Sequence, residues 1–324
     1  MDIPRRTFLN LAAGAAAIPA MPSIAKAQSY PARAVRVIVP FAVGGPTDVF
    51  ARHVCQRLSE RLGKQFYVEN LPGAGGNIGT AQAARSAHDG YTMLMTVNSF
   101  VINPSFYKRI PYDPYHDFDP VTLAADITLG LWVHAPVPAG SVKELIELIR
   151  ANPGRYNYAS GGIGTSVHLI GEKFRLALGL DLVHVPFNGG GPAIASTMAG
   201  HTPIAFTALT PALPHLTEGS LRALAVMSHS ESLPDIPTMA EAGYPEIRGD
   251  DWIGVFVPAG TPKPVIDTLN REIAAIMALP ATNEQLAMLG YNPIASTPEA
   301  FRDQIKADLP RWAKVMRDAN IKAE

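Results

Sequence analysis

Apolar residues gather into short runs that alternate with stretches of helical period. Val35–Val39 is apolar and β-branched apart from Arg36, the mark of a buried strand. After Gly44-Gly45-Pro46 the apolar residues Phe50, Val54, Leu58 and Leu62 recur every four positions. That spacing predicts a helix capped by Thr47 and ended by Gly63. The unit then repeats, with a strand at 65–69, a loop Pro72-Gly73-Ala74-Gly75-Gly76-Asn77, a helix at 78–87 and a strand at 91–97. Two more units follow. One has a strand at 156–159, a loop at 160–165 and a helix at 166–178. The other has a strand at Leu182–Pro186, a loop at 188–192 and a helix at 193–199. Segments 128–134, 203–208, 221–227 and 252–257 also read as strands. Ser141-x-x-Glu144 is a capping box opening a helix to Ala151. Four helices, 262–279, 283–289, 298–307 and 310–321, are expected to complete the chain.

Strands alternating with helices imply an α/β fold with parallel sheets and ligand loops at the strand ends. Two proline-rich stretches, 110–120 and 233–245, read as connections. Two glycine loops precede the first connection and two follow it. The expectation is two doubly wound lobes, 28–126 plus 252–324 and 127–251, with a ligand cleft between them. The chain would cross near 122–128 and 249–252 and close around its ligand by hinge motion.

The first 27 residues change the picture of where this happens. Arg5-Arg6 is followed by Phe8-Leu9, an apolar stretch from Leu11 to Ile18, and the small-x-small site Ala25-Lys26-Ala27. That pattern predicts an export signal cleaved after Ala27 and a periplasmic protein. The stretch is too short to span a bilayer. The paired arginines favour the twin-arginine route, although Pro4 and Asn10 depart from the usual residues and a general secretory signal is the alternative. The single cysteine, Cys55, excludes an intrachain disulfide and falls where a helix buries its thiol. No cysteine marks the cleavage site for a lipid anchor, and no later stretch reaches 18 apolar residues. With 27 basic and 28 acidic residues and no basic tract, nucleic acid is not expected as a partner.

The loops suggest chemistry. A helix N-terminus presents unpaired N–H groups and a partial positive charge. Glycine, expected here at 45 and 75 to supply φ > 0, lets the backbone approach an anion closely. Nucleotides fail on spacing. Ile78 and Val167 stand where the dinucleotide fingerprint needs glycine, and no loop continues into Gly-Lys-Ser/Thr. Four loops without a lysine therefore read as carboxylate cradles. Catalytic patterns are incomplete: Ser166 lacks the glycine at 168 of a nucleophile elbow, and His168 with Glu172 lacks a second histidine for zinc. Asp113, Asp117 and Asp119 lack the turn glycine of a calcium loop. No cofactor or metal is expected. A periplasmic hydrolase of small carboxylate esters or amides, using Ser166 or His168, is the reading from another class.

Several stretches also resemble a known family. They include "VPFAVGGPTDVFAR", "VENLPGAGGNIGT", "YASGGIGTSVHLIGEKF", "HVPFNGGGPAIASTMAGH", "LPDIPTMAEAGYPE" and "VPAGTPKPVIDTLN". Together they are similar to the substrate-binding receptors of tripartite tricarboxylate transporters, the Bug proteins, along essentially the whole chain after the leader. The resemblance implies a type II bilobal periplasmic binding fold and a small organic carboxylate held by backbone amides. It also implies inner-membrane transporter subunits as partners and a monomeric, unanchored protein. It places ligand contacts on Phe41, Gly44, Gly45, Pro46, Thr47 and Asp48, and on Ala74, Gly75, Gly76 and Asn77. In the second lobe it points to Ser160, Gly161, Thr165, His168, Gly189, Gly190, Gly191, Pro192 and Ala193. Two positions depart from the family pattern: Pro46 replaces a common Ser, and Pro203 a common Asp. Asp48, odd beside an anion, reads as a helix cap.

Overall fold

The computed structural model describes residues 30–318, so the leader and its cleavage site lie outside the described residues. Strand β1 (Val35–Val39) leads through the first glycine loop into helix α1 (Pro46–Leu62). β2 (Phe66–Asn70), α2 (Asn77–Ala84), β3 (Thr92–Val97) and α3 (Ser99–Phe106) follow, then β4 (Phe118–Ile127). Next come β5 (Leu129–His134), α4 (Val142–Ala151), β6 (Tyr156–Ser160), α5 (Ser166–Ala177), β7 (Leu182–Pro186) and α6 (Gly190–Met198). β8 (Ile204–Ala208), α7 (Leu209–Thr217) and β9 (Leu221–Val226) precede β10 (Trp252–Pro258). The last elements are α8 (Lys263–Met277), α9 (Pro280–Met288), β11 (Tyr291–Pro293) and α10 (Pro298–Asp318).

The strands form two sheets, in the orders β11-β4-β10-β3-β1-β2 and β7-β6-β8-β5-β9. This is the two-sheet α/β architecture expected, but each sheet is mixed rather than wholly parallel. β1 pairs parallel with β2 and β3, while β10 runs antiparallel to β3 and β4. In the second sheet β6 is parallel to β7 and β8, and β5 is antiparallel to β8 and β9. The four glycine loops follow β1, β2, β6 and β7, all parallel members, so they gather at one end of each sheet.

The chain passes from the first sheet to the second at Thr128 and returns through 227–251. Ile127 N–H donates to the Asp251 carbonyl at 2.9 Å, tying the two passages together. The proline-rich stretch 110–120 is therefore not itself the passage; its end already belongs to β4. α3 and α7 form where no helix was expected, and α10 runs unbroken through Pro310. A proline inside a helix costs about 3 kcal/mol. Here Phe301 and Ile305 before it, and Trp312 and Met316 after it, are buried in one cluster. Burying each such side chain contributes roughly 2 kcal/mol, enough to hold a single continuous helix. On α1 the stripe Phe50, Val54 and Leu58 is fully buried with Val35, Val37 and Phe66 in the main core, which fixes the first glycine loop against the sheet.

Candidate ligand-binding site

Between the two sheets lies a cleft that Phe41 and Gly161 divide into two cavities. The inner one, about 40 Å³, is lined by Phe41, Pro46, Thr47, Val97, Leu129, Gly161, Thr165, Val167, Gly189, Gly190, Thr207, Ala208 and Asp251. The outer one, about 190 Å³, is walled by the loop Gly73 to Gly76, by Gly161 to Ile163, by Pro186 to Asn188 and by Tyr107. Three helices begin at the inner cavity: α1 at Pro46 and Thr47, α5 at Val167, and α6 at Gly190. The first N–H groups of each have no partner within the helix. Pro46 has no N–H, so at the first position of α1 it leaves no donor unmatched. A carboxylate in this cavity would face three helix N-termini at once.

Several expected residues support the loops rather than line the cleft. Asp48 is buried, and its carboxylate accepts from Gly44 N–H (3.0 Å), Arg52 Nε (3.0 Å) and Asn70 Nδ2 (2.9 Å). Burial raises its pKa, but the bonds from Arg52, Gly44 and Asn70 outweigh that and hold it below the usual carboxylate range. Asp48 is thus a brace and not the cap expected. Its position three residues past the N-cap Gly45 lets it reach back to Gly44, whose N–H is thereby taken. Neither Thr47 nor any other side chain caps α1. Asn77 Oδ1 accepts from Asn103 Nδ2 at 2.8 Å, and the same amide reaches the Gly75 carbonyl at 3.0 Å, steadying the second loop. Ala193 is wholly buried with Trp132 and Ala159 in the second lobe's core, while Gly191 and Pro192 sit in α6 beside the lining. Gly45 adopts φ −78°, ordinary for any residue; among the expected site residues the positive φ values belong to Gly44 (+79°), Ala74 (+49°), Gly75 (+61°), Gly76 (+97°) and Gly189 (+137°).

Thr165 is the N-cap of α5, accepting from His168 N–H, and its hydroxyl donates to the Gly162 carbonyl at 2.6 Å. Ser160, with no exposure, shares a 2.7 Å hydrogen bond with His184 Nε2, a pair that sequence spacing did not reveal. His168 Nδ1 accepts from Gly164 N–H at 3.3 Å and its ring stacks on His184, centroids 4.3 Å apart. Ser166 is equally buried and donates to Asp251 Oδ2 at 2.5 Å. It therefore has no histidine to activate it, which removes the geometry of a hydrolase with Ser166 as nucleophile.

Sequence reasoning missed six residues of the inner lining, the apolar Val97, Leu129, Val167 and Ala208 with Thr207 and, the one charged member, Asp251. Its Oδ1 accepts from the N–H groups of Asn98 and Trp252, both at 3.0 Å. Burial lifts its pKa to about 7, against the opposing pull of Ser166 and the two backbone donors. The only hint in the sequence is an acidic pair, Asp250-Asp251, beside the expected second crossing.

The histidine pair gives a pH prediction. Burial, the largest cause, pushes His168 down to about 4; burial and then the nearby His168 push His184 down as well. Both are neutral in the fold, so their stability is present above about 6.5 and is lost as pH falls towards the folded values. The drop at His168 corresponds to roughly 3 kcal/mol when fully expressed. Asp251, with a raised pKa, acts with opposite sign between about 4 and 7. The readout is therefore a difference: the melting temperature of His184→Gln should fall less than wild type between pH 6.5 and 4. Parallel curves by scanning calorimetry would refute it.

Kinship agrees with this geometry. Residues 50–321 match the family described as Tripartite tricarboxylate transporter family receptor. Protein BugT of Bordetella pertussis is 37% identical over 300 residues, covering 91% of this chain and 92% of that protein. The structure of periplasmic binding protein BugD superposes with a TM-score of 0.87 at 36% identity, over 91% of this chain and all of that one. R. palustris Rpa4515, solved with adipate, superposes at 0.88 with 32% identity over the same shares. The chain belongs to the tripartite tricarboxylate transporter receptor family, the Bug proteins, and is a solute-binding receptor of that exported family, not an enzyme.

Proposed function

We propose that the protein captures a small organic carboxylate in the cleft between its two sheets and hands it to the inner-membrane subunits of a tripartite tricarboxylate-type transporter. The observation that carries this reading is the convergence of three helix N-termini on the inner cavity, with no lysine, arginine or histidine in its lining. Each helix end contributes about 0.3–2 kcal/mol towards an anion, more where it is buried. The adipate held by Rpa4515 supports an organic acid as the ligand class. In this reading residues 28–126 with 252–324 form one lobe and 127–251 the other. The two rotate about Thr128 and the 249–252 passage, and the protein works as a monomer. Among the described residues no helix is long and apolar enough to cross a membrane.

The test is a thermal-shift screen of organic acids on protein beginning at Gln28, with ester and amide hydrolysis assayed in parallel. At least one acid should raise the melting temperature by several degrees, with no turnover. A panel without any shift, or clear hydrolysis, would end the proposal. Export has its own test. Periplasmic protein should begin at Gln28 on N-terminal sequencing, and changing Arg5 and Arg6 to lysine should block export. Export that continues unchanged would assign the leader to the general secretory route.

A further inference from the structure

The inner cavity has one ionisable side chain in its lining, and that side chain is acidic. Asp251 is 7% exposed and fixed by three donors: two backbone N–H groups on Oδ1 and the Ser166 hydroxyl on Oδ2. A carboxylate has about four lone-pair sites, so capacity remains for one more donor, and Asp251 is part of the cavity lining. Among the described residues no lysine, arginine or histidine is bonded to it; Arg311 pairs with the neighbouring Asp250 and with Asp308 instead. A second ligand carboxylate placed here would meet a like charge in a buried site, an arrangement that disfavours ionisation of both. A protonated amine would supply the missing partner, and a charge-assisted hydrogen bond in such a site is about twice as strong as a neutral one.

We infer that the ligand is zwitterionic: an amino acid whose carboxylate faces the N-termini of α1, α5 and α6 and whose ammonium group faces Asp251. Both poles fall within the inner cavity, and the remainder of the molecule extends past Phe41 and Gly161 into the outer one. The inference rests on the proposed carboxylate capture and narrows it to one chemical class. It also gives the buried acid a task that a purely anionic ligand would not.

The experiment is calorimetric titration of the wild-type mature chain with matched pairs at neutral pH: L-alanine against propionate, 4-aminobutyrate against butyrate, and L-aspartate against succinate. The amino member of at least one pair should bind tenfold or more tightly than its nitrogen-free partner. Asp251→Asn should bring that pair to within threefold, while Asp250→Asn, which removes the neighbouring acid paired with Arg311 but leaves Asp251 and its three donors in place, should retain the preference. Should the asparagine variant not fold, the wild-type comparison decides alone. Nitrogen-free acids binding as tightly as the amino acids, or a preference that survives Asp251→Asn, would overturn the inference and leave carboxylate capture standing. If no acid of either kind binds, here or in the wider screen, carboxylate capture falls and the inference with it.

Discussion

Replacing Gly75 with alanine should weaken binding at least a hundredfold for whichever acid raises the melting temperature most. Two effects coincide at this position. Gly75 has φ +61°, a left-handed conformation that costs a side-chain-bearing residue about 1–2 kcal/mol. A Cβ there would also lie 2.2 Å from the carbonyl oxygen of Ile163, which belongs to the opposite wall of the cleft. Backbone cannot yield as a flexible side chain does, so the two walls would have to part. The two walls are joined at the same rim by Tyr107 Oη donating to the Ile163 carbonyl (3.2 Å) and by Ala42 N–H donating to the Asn188 carbonyl (2.8 Å). Opening the walls by even an ångström breaks both. Gly44→Ala is the control, since Gly44 has φ +79° but open space where the Cβ would go. It bears the conformational cost without the clash, so its affinity should fall far less. Titration calorimetry on both variants would measure this, and near-wild-type affinity for Gly75→Ala would show that closure does not need the contact. Gly45, by contrast, would accept alanine, because the nearest atoms to its Cβ lie at 3.5 and 3.6 Å and its φ is ordinary.

Asp48→Asn should lower stability by about 2–3 kcal/mol, the cost of leaving buried donors unsatisfied and a charge-assisted set unmade. An asparagine keeps one acceptor oxygen and turns its second position into a donor. That donor would face groups that are themselves donors: Gly44 N–H, Arg52 and Asn70 Nδ2. Asn70 also holds the Phe41 carbonyl at 3.0 Å, so disturbing Asp48 loosens the residue that divides the cleft. For a chain of this size the loss corresponds to a melting temperature lower by about 4 °C. Ligand affinity should fall with it. If Asp48 were a simple helix cap, asparagine would replace it without loss, and an unchanged melting temperature would restore that reading.

The fold was most legible where chain-local signals and tertiary packing agree. β1, α1 and the four glycine loops announce themselves because a buried strand is rich in apolar β-branched residues and the loop after it needs glycine, while β7 was legible from its valines although only Leu182 of it is buried. Proline misled the reading elsewhere. Pro120 argued against a strand, yet it sits in β4 where the register with β10 shifts between Val255 and Phe256, so its missing N–H does not break a regular ladder. Pro104 and Pro214 hid α3 and α7 in the same way, and Pro310 seemed to end a helix that packing carries through. For the candidate site, the sequence indicated the loops but not the division of labour within them. Gly161, Thr165, Gly189 and Gly190 line the inner cavity, whereas Asp48, Asn77, Ser160 and His168 hold the loops from behind. That distinction depends on which way each residue faces, and loop residues carry no periodicity to show it. Asp251 was invisible for a related reason. Its partners, Asn98 and Ser166, are distant in sequence and meet it only once the second passage is folded.

The central claim is that backbone N–H groups at three helix ends hold the ligand carboxylate. Amide chemical shifts of the ¹⁵N-labelled mature chain, titrated with the acid that gives the largest thermal shift, test it most directly. The amides of Thr47, Val167 and Gly190 should move downfield together and saturate at one equivalent, while those on the outer faces of α4 and α8 stay in place. Unmoved amides at these three positions, with saturable shifts confined to side chains such as His168 and His184, would contradict the account.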